Sequence, residues 1–214
     1  MKVVSVNIGT AVPSDFGLSA LDKRPVQGRH PVTEFGIEGD EQADNDHGGV
    51  YYPVYAYARE DLDRWGRELD RRYENGSFGE NVTLSGVDIA LNMLLGQFWR
   101  LGEVRFEVMG PRIPSPAFLT TVGVGLEAFL DAARPGVYLR PILGHPADVA
   151  HGGVEAGDDV EILWTPQEHI TIGESWTACL GDAETLRRIL ELPGHSPAWD
   201  ALAEHTIGAA TPQP

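Results

Sequence analysis

The sequence predicts a mainly β fold, a β-barrel or a sandwich, with a few helices and a helical C-terminal segment. Short apolar runs separated by glycine-rich turns recur from residue 1 to about residue 164, a pattern typical of such β folds. Beyond residue 165 the apolar residues recur at helical spacing instead. We therefore expect a β-barrel domain over residues 1–164 and a helical extension over residues 165–214.

The strands are predicted one after another along the chain. Val3, Val4, Val6 and Ile8 indicate the first, and residues 32–37 indicate the second. The later strands are predicted at the runs NVTL, QFWRL, VRFEVM, GVYLRPIL and DVEILW.

Helices are predicted where the apolar spacing changes. Residues 56–73 place Leu62, Trp65 and Leu69 three and four positions apart with charged residues between them, so we expect an amphipathic helix packed outside the barrel. Further helices are expected near residues 126–133, 175–190 and 198–205.

Composition restricts the function classes. The 214 residues include 16 Lys and Arg against 32 Asp and Glu, so the net charge is −16 and argues against binding to nucleic acid or to anionic membranes. The single cysteine, Cys179, excludes an intrachain disulfide and a thiolate metal cluster within one chain. No run approaches the ~20 apolar residues of a membrane helix, and the N-terminus lacks a signal-peptide pattern. We expect a cytoplasmic protein.

A proline-rich loop, PRIPSPAF at residues 111–118, follows the apolar strand 104–109. Its three prolines argue against a helix and remove backbone donors. Arg112 and Ser115 are therefore expected in a stiff loop, which is either a site or only a turn.

Two other segments carry polar groups. The acidic, glycine-rich segment 36–49 contains His47 before Gly48 and Gly49, and such a loop is either an anion-binding concavity or a solvated turn. Glu80 and Asn81 follow a Phe-Gly turn and either belong to a site or start a strand. The segment 122–128 mimics a dinucleotide fingerprint without the βαβ context that it requires, and the histidines lack zinc-ligand spacing.

Seven motifs in order carry a resemblance to a known family. They are GIEGDEQAD, HGG, VYAYAREDLDRW, FGENVTLSGVDI, GPRIPS, RPGVYLRPIL and AGDDVEI. Together they resemble the MOSC domain, in particular its stand-alone bacterial members with a helical C-terminal extension. The resemblance implies a β-barrel with a pocket for the phosphate and pterin of a molybdenum cofactor, and, at the level of the family, an association with pyridoxal phosphate. Some relatives reduce N-hydroxylated compounds.

The resemblance also implies a set of site residues. We expect one pocket to gather Asp40, Gln42, His47, Glu80, Asn81, Arg112 and Ser115. The residues expected to bind the cofactor or ligand are Asp40, Gln42, Gly48, Gly49, Asn81, Arg112, Tyr51 and Tyr52. The candidate catalytic residues are Ser115, His47, Glu80 and Arg112, and no metal ligand is assigned.

The chain departs from the family at two places. Relatives carry a cysteine where this chain has Ser115, and that cysteine ligates molybdenum or carries sulfur. A serine hydroxyl cannot hold a persulfide and is a poor soft ligand. After HGG, relatives usually continue with Pro-Asp and a polar residue, whereas this chain continues with Val50, Tyr51, Tyr52 and Pro53.

Three hypotheses follow. The protein binds molybdenum cofactor and does redox work, or it runs a metal-free reaction on a small molecule, or it is a non-catalytic binding protein. We favour the metal-free reaction, because without a thiolate at position 115 the chain lacks the group that the resemblance associates with molybdenum and sulfur chemistry. Its partner would be a small-molecule substrate, and the choice between monomer and homodimer stays open.

Overall fold

The computed structural model describes residues 1–43, 51–145 and 152–208. Within these ranges the chain forms thirteen strands and seven helices. The strands are β1 (Lys2–Ile8), β2 (Val12–Ser14), β3 (Gly17–Ser19), β4 (Arg24–Val26), β5 (His30–Thr33), β6 (Gly36–Ile37), β7 (Val54–Ala58), β8 (Val82–Ser85), β9 (Phe98–Leu101), β10 (Val104–Gly110), β11 (Val137–Ile142), β12 (Gly153–Val154) and β13 (Val160–Trp164). The helices are α1 (Arg59–Glu68), α2 (Ile89–Asn92), α3 (Pro116–Val122), α4 (Leu126–Ala132), α5 (Ile172–Cys179), α6 (Ala183–Leu190) and α7 (Pro197–Ile207).

A large sheet organises the fold. Eight strands run in the order β13-β9-β10-β11-β7-β8-β1-β4, and the neighbours are antiparallel except for the parallel pair β7 and β8. The sheet curls back on itself, because Val3 N–H donates to the Asp158 carbonyl at 2.9 Å and Val160 N–H donates to the Met1 carbonyl at 3.2 Å. The predicted β-rich fold with accompanying helices is confirmed.

Strand β7 explains why the predicted helix 56–73 is shorter than expected. Val54, Ala56 and Ala58 face the main core, whereas Tyr55 and Tyr57 face an aromatic cluster on the other side. Residues 56–58 are thus buried on both faces of a strand, and the helix begins only at Arg59 and ends at Glu68. A strand buried on both faces has no polar alternation that would reveal it in the sequence.

Helix α3 corrects the expectation that the proline-rich loop excludes a helix. Pro116 occupies the first helical turn, where the missing N–H would have no intrahelical acceptor, and Ser115 is the N-cap. A helix can therefore start inside PRIPSPAF.

Two further predictions of element boundaries were wrong. The strand predicted at 32–37 is a hairpin of β5 and β6 that turns before Gly36, whose φ of +113° favours glycine. The helix predicted at 175–190 is two helices, α5 and α6, separated at Gly181.

The C-terminal helices share one core with the sheet. Ile172, Leu186 and Trp199 belong to the same buried cluster as the sheet residues Phe106 and Leu139. None of the described helices is long and apolar enough to cross a membrane.

Candidate functional site

A cavity of about 420 Å³ lies where several loops meet beside β7 and β11. Six of the residues that the sequence singles out line it, and they are Asp40, Gln42, Tyr52, Asn81, Arg112 and Ser115. The fold thus brings together side chains from four separate stretches of the chain. A concave pocket with a few convergent polar groups is the usual form of a small-molecule site.

A buried ion pair forms one wall of the cavity. Lys23 Nζ lies 2.5 Å from Asp40 Oδ1, and the two side chains are only 8% and 5% exposed. The second carboxylate oxygen of Asp40 accepts from Asn81 Nδ2 at 2.8 Å, and Gly9 N–H donates to Oδ1 at 2.8 Å. Burial lowers the pKa of Lys23, although the neighbouring Asp40 carboxylate opposes that shift. A lysine whose pKa is lowered gives up its proton more readily than a solvated one.

Asn81 fixes the position of this wall relative to the sheet. Its Oδ1 accepts from Tyr55 N–H at 3.1 Å and its own N–H donates to the Tyr55 carbonyl at 2.7 Å. The amide thus connects strand β7 to the carboxylate of Asp40, which explains why an asparagine stands at the start of the predicted strand.

Arg112 enters the cavity from the end of β10 and lies against aromatic rings. Its Cζ is 4.6 Å from the ring centre of Phe118 and 4.8 Å from that of Tyr55. Its Nε is buried and has no hydrogen-bond partner among the described residues. A buried guanidinium N–H without an acceptor favours an anionic ligand that would complete its hydrogen bonding.

Ser115 has a local structural role as well as a place in the cavity wall. Its Oγ accepts from Phe118 N–H at 3.2 Å and so caps helix α3. Since no described residue accepts a hydrogen bond from this hydroxyl, its proton remains available to a ligand.

The two tyrosines after the HGG motif lie in different surroundings. Tyr52 lines the cavity, lies 5.2 Å from the ring of Tyr138, and donates from its hydroxyl to Ser196 Oγ at 2.7 Å. Burial raises the pKa of Tyr52. Tyr51 lies instead with its ring 5.4 Å from the guanidinium of Arg140 and is not among the residues that line the cavity.

Glu80 is placed differently from the expectation. Its carboxylate is fully buried and accepts from Gly76 N–H at 2.6 Å, Phe78 N–H at 3.0 Å and the Thr83 hydroxyl at 2.8 Å. It is not among the residues that line the cavity, and burial raises its pKa. Its hydrogen bonds hold the loop that presents Asn81. His47, Gly48 and Gly49 lie outside the described residues, and their roles stay predictions.

Lys23 is a cavity residue that the sequence analysis did not identify. It is one of only two lysines in a chain of net charge −16 and precedes an Arg-Pro pair, and this scarcity is the signal that could have drawn attention to it. Its partner Asp40 lies 17 positions away, so only the folded chain reveals the pair.

The comparison with protein families decides the assignment. The model of the MOSC domain matches residues 43–161, which is more than half of the chain and includes Asn81, Arg112 and Ser115. The chain belongs to the MOSC-domain family. The relatives of this MOSC-domain chain include YflK of Bacillus subtilis, 29% identical over 211 residues, with 94% of this chain and 91% of YflK covered. Protein YiiM of Escherichia coli is 38% identical over 100 residues, with 45% of this chain and 44% of YiiM covered.

Solved structures of the family share the fold of this MOSC domain. The crystal structure of YiiM from Geobacillus stearothermophilus matches with a TM-score of 0.75 at 21% identity, covering 96% of this chain and 98% of that one. YiiM from Escherichia coli matches with a TM-score of 0.71 at 23% identity, covering 97% and 94%. The family assignment and the β-rich fold are therefore as predicted.

The cavity of this MOSC domain fits only part of a molybdenum cofactor. Arg112 suits the anionic organic portion, whereas the charge of Lys23 is already balanced by Asp40. At position 115, however, the side chain is a neutral hydroxyl that caps a helix, and it offers no thiolate to a soft metal. The single thiol, Cys179, is on α5 outside the cavity lining, and burial raises its pKa to about 12. Among the described residues, no three His, Cys, Asp or Glu side chains come together as a metal site.

Proposed function

We propose that this MOSC-domain protein is an enzyme that acts on a small anionic molecule in the cavity without thiolate-bound molybdenum. The observation that carries the proposal is the pairing of two facts at one site. A buried guanidinium N–H of Arg112 lacks an acceptor among the described residues, and Ser115, where the family resemblance implies a cysteine in relatives, presents a helix-capping hydroxyl and no thiol.

Charge supports an anionic ligand. Lys23 is neutralised by Asp40, so Arg112 is left as a cation without a carboxylate partner among the described residues. Glu41 also lines the cavity, but its side chain is exposed and accepts from Ala11 N–H at 2.8 Å. An anion bound at Arg112 would make charge-assisted hydrogen bonds in partly desolvated surroundings, where such bonds are stronger than in water.

Proton transfer is the chemistry that these residues support. Lys23 has a lowered pKa and lies in contact with Asp40, so the pair can move a proton to or from a bound molecule. Ser115 would donate a hydrogen bond to the ligand, and Asn81 would keep Asp40 in place. His47 remains a further candidate acid or base by its place in the HGG motif.

A second candidate function has one observation in its favour. A protein of Gibberella moniliformis named Reductase is 31% identical over 100 residues, with 45% of this chain and 18% of that protein covered. In this alternative the chain binds molybdenum cofactor and reduces N-hydroxylated compounds, with Ser115 as an oxygen ligand or a bystander.

Metal analysis separates the two. The wild-type protein and Ser115→Cys are purified side by side from a cofactor-producing host supplied with molybdate, and the molybdenum content per chain is measured. We expect far less than one molybdenum per wild-type chain and a higher content in the variant, because a cysteine beside Arg112 can reach the thiolate form. Stoichiometric molybdenum in the wild type would overturn the metal-free proposal and favour the reductase.

A non-catalytic binding protein is distinguished by a different experiment. A small molecule that copurifies with the protein, or that is found by screening, is first identified. Turnover and binding of that molecule are then measured for wild type and for Lys23→Met. Binding retained with turnover lost supports an enzyme, whereas absence of turnover in the wild type with tight binding supports a carrier.

A further inference from the structure

A small hairpin at the cavity contributes apolar side chains that the proton chemistry does not use. Among the described residues, strands β2 and β3 pair only with each other, and Ser14 shapes their turn by accepting from Phe16 N–H at 3.2 Å and donating to the Gly17 carbonyl at 2.7 Å. Phe16 and Leu18 both line the cavity, although 53% of Phe16 and 60% of Leu18 are exposed. Large apolar side chains gathered at the edge of a pocket commonly mark a ligand-binding surface.

The cavity therefore has two ends of different chemistry. The buried end holds Lys23 and Asp40, with side chains 8% and 5% exposed, and the adjoining guanidinium of Arg112. The exposed end holds Phe16 and Leu18, and Pro116 and Ala117 also line the cavity. A ligand that satisfies both ends needs a charged head and an apolar extension.

We propose that hairpin β2–β3 is a specificity-determining subsite, and that the ligand is an anion with an apolar tail. The anionic head binds at Arg112, and the tail lies against Phe16 and Leu18. This inference rests on the anion-binding role of Arg112 in the proposed function and adds the class of substrate to it. Contact with the tail would also cover apolar surface that is otherwise left in water.

Straight-chain monocarboxylates test the tail directly, because the head stays constant while the length changes. Butanoate, hexanoate, octanoate and decanoate are titrated into the full chain by calorimetry. For wild type we expect Kd to fall by about two- to fourfold for each added methylene until the tail passes the hairpin. In Phe16→Ser/Leu18→Ser we expect butanoate to bind as in wild type and the dependence on length to be lost.

Two control variants separate the head from the tail. Arg112→Met should weaken every carboxylate by a similar factor and preserve the dependence on length. Leu126→Ser removes an apolar side chain that is 52% exposed and is not among the residues that line the cavity, and it should bind all four acids as wild type does. Circular dichroism confirms that each variant is folded.

Several outcomes overturn the inference. An unchanged length dependence in Phe16→Ser/Leu18→Ser, or no saturable binding of any of the acids, would exclude the subsite. Dimerisation of wild type in sedimentation experiments that the double substitution abolishes would assign these side chains to a subunit interface instead. If Arg112→Met has no effect while the length dependence persists, the apolar subsite stands and the anion-binding part of the proposed function fails.

Discussion

The Ser115 hydroxyl accepts a hydrogen bond from Phe118 N–H at 3.2 Å, three residues further along the chain. This contact starts helix α3, whose Phe118 side chain in turn lies under the guanidinium of Arg112 with 4.6 Å between Cζ and the ring centre. Position 115 is thus coupled to the anion-binding candidate through the helix that it caps. A cysteine at this position would be a weaker hydrogen-bond acceptor than the serine, so Ser115 makes the better helix cap, and it offers no thiolate.

Ser115→Ala should destabilise the protein, because the first turn of α3 loses its side-chain acceptor. We expect the free energy of unfolding to fall by about 1 kcal/mol, and by only a few tenths for Ser115→Gly. Urea denaturation measures both. Thr120→Ala, an exposed change on the same helix, serves as the control. Equal stability of Ser115→Ala and wild type would show that the cap contributes nothing.

The fold could be read from the sequence where burial is one-sided or where turns are marked by glycine. The stripe of Leu62 and Trp65 was recognisable for this reason, whereas the run at Lys2–Ile8 was recognisable by its β-branched residues. Strand β7 was not, because Val54 to Ala58 is buried on both faces and lacks an alternating pattern. Helix α3 was missed because the prolines of the loop were taken to exclude a helix. A proline at the first helical position is compatible with one, since its missing N–H would have no acceptor within the helix.

The candidate site could be read only in part, for reasons of the same kind. The motifs pointed to Arg112, Asn81 and Asp40, which do line one cavity. Their order in the chain could not tell which way the Glu80 carboxylate faces, since the hydrogen bonds from its own loop decide that. The sequence could not reveal Lys23 either, because its ion-pair partner Asp40 comes next to it only in the folded chain.

Lys23→Met should destabilise the protein more than Lys23→Met/Asp40→Asn does. The single change leaves the Asp40 carboxylate buried without its cation, which typically costs about 3–5 kcal/mol. Lys23→Met/Asp40→Asn removes both charges, so its loss of unfolding free energy should be smaller than the sum of the two single changes. A denaturation cycle over the four proteins measures the coupling, and additive losses would contradict an energetically important ion pair.

Asp61 should make stability depend on pH. Burial raises the pKa of Asp61 from its ordinary 3.8 to about 6, and the nearby Arg134 opposes the shift. Between these values the folded protein holds the proton more tightly than the unfolded chain, so this residue lowers stability as pH rises from about 4 to 6. Asp61→Asn should remove this pH-dependent loss of unfolding free energy, which is about 1–3 kcal/mol. Thermal unfolding measured at a series of pH values tests this. Asp63→Asn, at a more exposed site on the same helix, is the matched control for the loss of one carboxylate from α1.

Tyr52 and Ser196 should couple the cavity wall to the C-terminal helices. The Tyr52 hydroxyl donates to Ser196 Oγ at 2.7 Å, while Ser196 also caps α7 by accepting from Ala198 N–H at 3.3 Å. The Tyr52 ring stays in the cavity wall in Tyr52→Phe, so this change removes only the hydrogen bond. We expect a loss of about 0.5–1.5 kcal/mol in unfolding free energy and faster hydrogen exchange along α7. Ser196→Ala should lose more, because the helix cap goes with it.

The double variant Tyr52→Phe/Ser196→Ala decides whether the two residues act together. If the hydroxyl contact is the coupling, the double variant should be less destabilised than the sum of the single changes, since the contact is already absent in each of them. Binding of butanoate is measured in parallel, because a looser Tyr52 ring beside Tyr138 should weaken the ligand without changing its dependence on Arg112. Strictly additive losses together with unchanged exchange in α7 would mean that the helical extension supports the cavity through its apolar core alone.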